Sequence, residues 1–187
     1  MSHGRPIVNG MDVRPCAERD LAAMSSRWPS PADVHSAHFA AQRDGRSTYL
    51  VAWEGDEPVG AVMVQWAGCV GTNAGAAHPG AVELNHLQVR DSWRGRGVGS
   101  RLIRTAEATA KNREMFQVAV GVADDNAGAQ RLYVRLGYGA TGVFDVSEYD
   151  WVADDGSVRH EVERNQLLVK TLGSASDRAA VGNASMR

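Results

Sequence analysis

Two cysteines in 187 residues, Cys16 and Cys69, are too few and too far apart for a disulfide framework or a Cys-x-x-Cys knuckle. That usage fits a reducing compartment, so a cytoplasmic protein is expected. An excess of one charge is also missing. Lys and Arg number 20 against 22 Asp and Glu, and a net charge of −2 offers no bulk attraction to nucleic acid. No apolar run approaches the ~18 residues of a membrane span, and the first residues lack the apolar core of a signal peptide. Neither a nucleic-acid nor a membrane partner is expected. There is no internal repeat. No Gly-Lys-Ser or Gly-Lys-Thr occurs, which removes a P-loop. Metal motifs are absent as well. His35 and His38 lie three apart and can share a helix face, but no third ligand is near, so they read as solvated or core histidines.

What is present is a length and an apolar fraction, 43%, that suit one domain with a sizeable core. The chain is organised around residues 83–111. Residues 83–89 read as a strand, with Leu84, Leu87 and Val89 as apolar members. A helix begins at Gly97 or Val98, because Val98, Leu102, Ile103, Ala106 and Ala110 fall on one face. Between them stands Arg94-Gly95-Arg96-Gly97-Val98-Gly99. A helix start carries unpaired N–H groups and a partial positive charge; glycines expose those groups, and arginines add charge. Together they make a pyrophosphate cradle. A dinucleotide fingerprint begun at Gly95 and Gly97 needs a third glycine where Ser100 stands, so that reading fails.

The pattern [RQ]-x-x-G-x-[GA] is met by Arg94, Gly97 and Gly99. A second stretch, residues 126–138, reads N-A-G-A-Q-R-L-Y-V-R-L-G-Y. Asn126 is a good N-cap and Gly137 a good C′ residue; Ala129, Leu132, Tyr133 and Leu136 share a helix face. In this order, with one apolar strand at 115–122 between them, the two patterns resemble the signatures of the GNAT superfamily of acetyl-CoA-dependent N-acetyltransferases. The sharp motifs cover about a third of the chain, and the outline covers most of residues 11–172.

Read in order, residues 1–10 are a flexible leader, 11–15 a short strand and 17–26 a helix. Pro29 and Pro31 break that helix, and a second spans 32–43. Strands at 48–53 and 58–66 flank Gly55-Asp56, a hairpin signal. Residues 67–80 are a Gly/Ala-rich loop, long for a hairpin connection, and read equally as a functional loop or a tolerated insertion. Strands at 143–152 and 158–172 flank Asp154-Asp155-Gly156-Ser157, and residues 173–187 read as a disordered tail. The expected architecture is α/β: a mixed, mostly antiparallel central sheet flanked by helices on both faces, spanning residues 11–172. The GNAT fold implied by the resemblance is the same in outline.

The resemblance implies acetyl-CoA as cosubstrate and a transfer that needs no metal. It places the pantetheine arm against the backbone of Leu87, Gln88 and Val89, and the phosphates on Arg94, Gly95, Arg96, Gly97, Val98, Gly99 and Ser100. Asn126 and Tyr133 belong to the second signature, and Tyr133 stands where the family often places a general acid beside the thioester sulfur. Asp91 departs from the proline many members carry two residues after the valine. An amine must lose a proton before it attacks, and the resemblance offers Glu83 as the candidate base, six residues before Val89, a spacing at which several members of the family carry a glutamate base; partial burial would raise its pKa. By alternation Asn85 shares its face and His86 points away, unless a bulge swaps them, which makes His86 the reserve base.

The leading expectation is an N-acetyltransferase acting by direct attack on a primary amine; the alternative is a non-catalytic acyl-CoA sensor on the same fold. A longer acyl group is a third possibility. The acceptor, a small molecule or a peptide, is not written in the cofactor motifs, and a homodimer is left open. Residues 145–163 carry seven acids, Asp145, Glu148, Asp150, Asp154, Asp155, Glu161 and Glu163, against one Arg, Arg159. A cationic acceptor would be drawn to such a segment.

Overall fold

The computed structural model describes residues 10–152 and 158–173. The leader, the tail and the turn at Asp154-Asp155 lie outside them, apart from Gly10 and Gly173. The elements in order are β1 (Asp12–Pro15), α1 (Leu21–Arg27), α2 (Val34–Arg43), β2 (Ser47–Glu54), β3 (Glu57–Gln65), α3 (Thr72–Ala77), β4 (Ala81–Val89), α4 (Val98–Asn112), β5 (Gln117–Ala123), α5 (Ala127–Arg135), β6 (Gly139–Val152) and β7 (Val158–Thr171). The strands form one mixed, mostly antiparallel sheet of seven, hydrogen-bonded in the order β1-β2-β3-β4-β5-β7-β6, with helices flanking it. The chain divides into two compact units, one built from residues up to 67 and 84–114, the other from 68–83 and 115 onward.

In the first unit β1, β2 and β3 form an antiparallel meander. Glu54 pairs with Glu57 across Gly55-Asp56, and Gly55 supplies the positive φ of 59° that a two-residue turn needs. Tyr49, Val51, Trp53, Ala61 and Met63 alternate inward and bury with Cys16 and Met24; Leu21 of α1 and Phe39 of α2 pack on that cluster. Helix α2 starts two residues later than its apolar pattern suggests, because Ala32 and Asp33 both adopt left-handed backbone. Helix α4 buries Val98, Leu102, Ile103, Ala106 and Ala110, the face its spacing marks out. Gly60 lets β3 reach the start of that helix: a Cβ there would lie 2.9 Å from Val98 Cγ1 and 3.0 Å from the Gln88 carbonyl oxygen.

In the second unit the first three residues of β4 run parallel to β5, from Ala81 opposite Gln117 to Glu83 opposite Ala119. β5 then pairs antiparallel with β7, and β7 with β6. β6 starts four residues before the expected 143, with a register shift between Ala140 and Phe144 beside Gly142 (φ 78°). Glycines at Gly139 and Gly142 dilute the strand signal in the sequence.

Residues 67–80 are not a plain loop. They carry α3, and Asp145 of β6 caps its start: Oδ1 accepts from Asn73 N and Oδ2 from Ala74 N, both at 2.9 Å. The Asn73 side chain donates to the Phe144 carbonyl at 2.8 Å. A Cβ on Gly71 would fall 2.1 Å from Asp145 Oδ2, so only glycine lets the carboxylate in. Gly71→Ala and Asp145→Ala are therefore each expected to cost about 1–2 kcal/mol, the usual penalty for losing a helix N-cap. Denaturant unfolding measures the cost, and amide exchange should quicken at residues 72–77; unaltered exchange there would deny Asp145 its capping role.

Candidate active site

The sequence-predicted residues fall into two sets, one in each unit. In the first unit, β4 ends at Val89, a short turn spans Asp91–Trp93, and residues 94–97 are exposed. Gly97 takes φ 89°, a left-handed N-cap, and the first helical bond is Arg101 N to the Gly97 carbonyl at 3.0 Å. Helix geometry therefore leaves the N–H groups of Val98, Gly99 and Ser100 without an intrahelical partner. Arg94 sits at this opening, its Nε donating to the Val89 carbonyl at 3.3 Å and its Nη2 2.9 Å from Asp91 Oδ1. Asp91 thus orients Arg94, a part that reading it as a missing proline overlooks. The Arg96 guanidinium lies over the Trp93 ring, 4.9 Å from its centre. Gly95 and Gly97, with φ of 72° and 89°, keep side chains away from this turn.

Leu87, Gln88 and Val89 lie on β4, Gln88 exposed and its neighbours half-buried. Alternation along the strand does not run unbroken from residue 83, because His86 has φ 51°. Asn85 Oδ1 is buried without a hydrogen-bond partner, an acceptor suited to a ligand N–H. These residues fit a phosphate group at the helix start and an amide-bearing arm along β4. Arg90 is spent elsewhere: it pairs with Glu57 and donates to the Pro58 carbonyl.

In the second unit Glu83 is buried, 9% exposed, and its Oε2 accepts from Val70 N at 2.6 Å. Burial raises its pKa; the Val70 bond opposes that, and the nearby Asp145 carboxylate adds to it. Gly121 faces the other oxygen, since a Cβ there would lie 3.8 Å from Oε1. Asn126 caps α5 through Oδ1, which accepts from Ala129 N at 3.0 Å, a structural use of the residue. Gly137 takes φ 90° beyond the helix end. Tyr133, 3% exposed, meets Tyr138 edge to face at 5.3 Å between ring centres. Burial pushes the Tyr133 phenol up, so its proton is held at neutral pH and available for donation.

Neither thiol looks reactive. Burial drives Cys16 up to about 12 and Cys69 up to about 11, the latter helped by Glu83 and Asp145. Of the seven acids of 145–163, Asp145 holds α3 with both oxygens, and Asp154 and Asp155 lie outside the described residues. His35 is a core residue, 3% exposed, bonded to Tyr49 and to the Trp28 carbonyl. His38, read with His35 as a solvated or core histidine, is half-buried and reaches His86, 4.7 Å away between ring centres, a contact the i, i+3 spacing does not disclose. Among the described residues no helix is long and apolar enough to cross a membrane.

Residues 15–138 match the model of the acetyltransferase (GNAT) family. No curated protein sequence matches the chain. Solved structures share the fold at low identity. An N-acetyltransferase from Staphylococcus aureus Mu50 superposes with a TM-score of 0.62 at 16% identity, over 87% of this chain and 99% of that one. A GNAT family acetyltransferase from Elizabethkingia anophelis, with acetyl-CoA bound, gives 0.56 at 16% over 88% and 99%. A phosphinothricin acetyltransferase from Sinorhizobium meliloti, in complex with AcCoA, gives 0.62 at 14% over 89% and 91%.

Proposed function

Because this chain belongs to the GNAT acetyltransferase family, we propose that it moves the acetyl group of acetyl-CoA onto a primary amine by direct attack, with Glu83 as general base and Tyr133 as general acid. The observation that carries the reading is the exposed turn at residues 94–97 opening onto the N–H groups of α4, with Asn85 Oδ1 awaiting a donor on β4. Phosphates suit the first and an amide N–H the second. As the nitrogen–carbon bond forms, a proton leaves the nitrogen for Glu83. As the carbon–sulfur bond breaks, the departing sulfur takes the proton of the Tyr133 hydroxyl. The raised thiol pKa values of Cys16 and Cys69 disfavour a route through acyl-cysteine. Glu148, exposed on β6, with the remaining acids of 145–163, favours an acceptor of positive charge.

A non-catalytic acyl-CoA sensor is the second reading, because the Val70 bond gives Glu83 and the Tyr138 contact gives Tyr133 a purely structural use. A screen of amines and peptides that reports free thiol release separates the two: turnover with any acceptor excludes the sensor.

Glu83→Gln tests the base. A glutamine oxygen still accepts from Val70 N, so the fold is kept. The wild-type carboxyl must be ionised to work, and its pKa lies above the ordinary value. Wild-type kcat should therefore fall as pH drops through that raised pKa. The variant should lack this acid limb and lose up to about 10²-fold of kcat above it. A limb that survives in Glu83→Gln belongs to another group.

A further inference from the structure

We propose that His86, held against His38, is the base that strips the excess proton from the ammonium form of the acceptor before the nitrogen attacks. The inference rests on acetyl transfer to a primary amine. An alkylammonium must shed two protons to become an amide nitrogen. The first leaves to expose the lone pair, and the second leaves as the nitrogen–carbon bond forms. Free CoA carries one proton on its sulfur, so alkylammonium and acetyl-CoA yield amide, CoA thiol and one proton released to water. Glu83, buried and bonded to Val70, suits the second removal. The first calls for a base that meets solvent, because its proton leaves the protein.

His86 meets that requirement: it lies exposed on β4. Its backbone is left-handed, φ 51°, a conformation uncommon for a residue with a side chain, though His adopts it more readily than most. Such a conformation persists where the surroundings over-determine it, and it clusters at functional sites. Here the surroundings are a ladder of rings in the first unit. His38 from α2 lies 4.7 Å from His86 between ring centres, tilted by 47°. His38 in turn meets Tyr49 of β2 edge on at 5.1 Å. The Tyr49 hydroxyl is 2.8 Å from His35 Nδ1, and His35 Nε2 is 2.7 Å from the Trp28 carbonyl oxygen. A carbonyl only accepts, so Nε2 of His35 carries a hydrogen and donates it to Trp28, while Nδ1 is tied to the Tyr49 hydroxyl. The buried end of the ladder is locked, and it sets the ring against which His86 rests.

Among the described residues, the titratable groups beside this pair are His35 of α2 and Tyr49 of β2, both on the His38 side. Burial, with His86 and His35 beside it, brings His38 down to about 4; His86, exposed as a residue, still has its ring partly withdrawn from water, which lowers it as well. Both rings therefore carry a lone pair at neutral pH.

The experiment compares two acceptors of one shape, an alkylamine, protonated at pH 7, and the alkoxyamine of the same length, already neutral. His86→Asn keeps a residue tolerant of positive φ. At pH 7 it should lower kcat/KM for the alkylamine by about 10-fold or more and for the alkoxyamine by no more than about 2-fold. Raising the pH should restore the alkylamine rate. His38→Ala, which admits water to His86, should move the acid limb of the alkylamine-to-alkoxyamine ratio, from which the Glu83 limb common to both amines cancels, up toward the ordinary histidine value, about 6.5, and His38→Phe should return it. Equal losses for both amines, or none for either, overturn the inference, as does an acid limb indifferent to His38→Ala. If the wild-type chain turns over neither amine, amine acetylation falls with it. If it turns over both and the ratio stays put in His86→Asn, only the role of His86 falls.

Discussion

Tyr133→Phe lowers kcat for acetyl transfer by about 10²–10⁴-fold and leaves the affinity for acetyl-CoA within about 3-fold, the range expected when a general acid is removed and little else. The physical basis is the phenol's environment. Tyr133 is 3% exposed, and burial raises its pKa, so the hydroxyl holds its proton throughout the neutral range. A departing thiolate then has a donor that has not already ionised. The ring itself packs edge to face on Tyr138, and its backbone carbonyl accepts from Tyr138 N at 3.0 Å. Phenylalanine preserves both, so the helix end and the cofactor affinity survive. Rapid-quench measurement of the first turnover, beside a titration of acetyl-CoA, reads the two quantities apart. Unchanged kcat in Tyr133→Phe would assign the hydroxyl to packing alone, and a matching fall in affinity would make it a binding group.

Gly97→Asp is expected to erase the rise in melting temperature that acetyl-CoA gives the wild-type chain, weakening binding by about 10²-fold or more. A ligand that binds the folded state alone must stabilise it by RT ln(1 + [L]/Kd), so the shift is a direct gauge of affinity. The effect in the variant is electrostatic. Gly97 sits at φ 89°, a left-handed conformation that Asp and Asn tolerate alike better than most residues with a Cβ, so backbone strain does not separate the two variants. A carboxylate there would face the phosphates for which the N–H groups of Val98, Gly99 and Ser100 provide the cradle. No atom lies within 4 Å of a Cβ built at Gly97, so a clash within the protein is not the cause of the loss. Gly97→Asn isolates the charge: the same position and nearly the same size, in a residue tolerant of left-handed backbone. It should retain much of the shift. An undiminished shift in Gly97→Asp would move the cofactor away from this turn.

The sequence alone determined what depends on near neighbours in the chain. The apolar face of α4, Val98 to Ala110, was legible because a helix returns to the same side every 3.6 residues. Asn126 and Gly137 marked the ends of α5 because caps are local hydrogen-bond and φ requirements. Gly55-Asp56 marked its hairpin for the same reason. The mixed sheet followed from the order of these elements, and the family from two motifs whose glycines answer to backbone geometry. Tertiary structure decided whatever depends on residues far apart in sequence. Nothing in residues 67–80 announces that Asp145, seventy-odd positions on, turns part of that stretch into a capped helix. Asp145 looks like one surface acid among seven until its two oxygens are seen to be taken. His38 looked solvated or buried, yet it stands against His86 because α2 and β4 meet in space and because His86 adopts a backbone that period-two alternation does not describe. Periodicity carries information over one turn of helix or one pleat of strand; a carboxylate's partner or an imidazole's neighbour is chosen by packing, at separations where the local chain has no say.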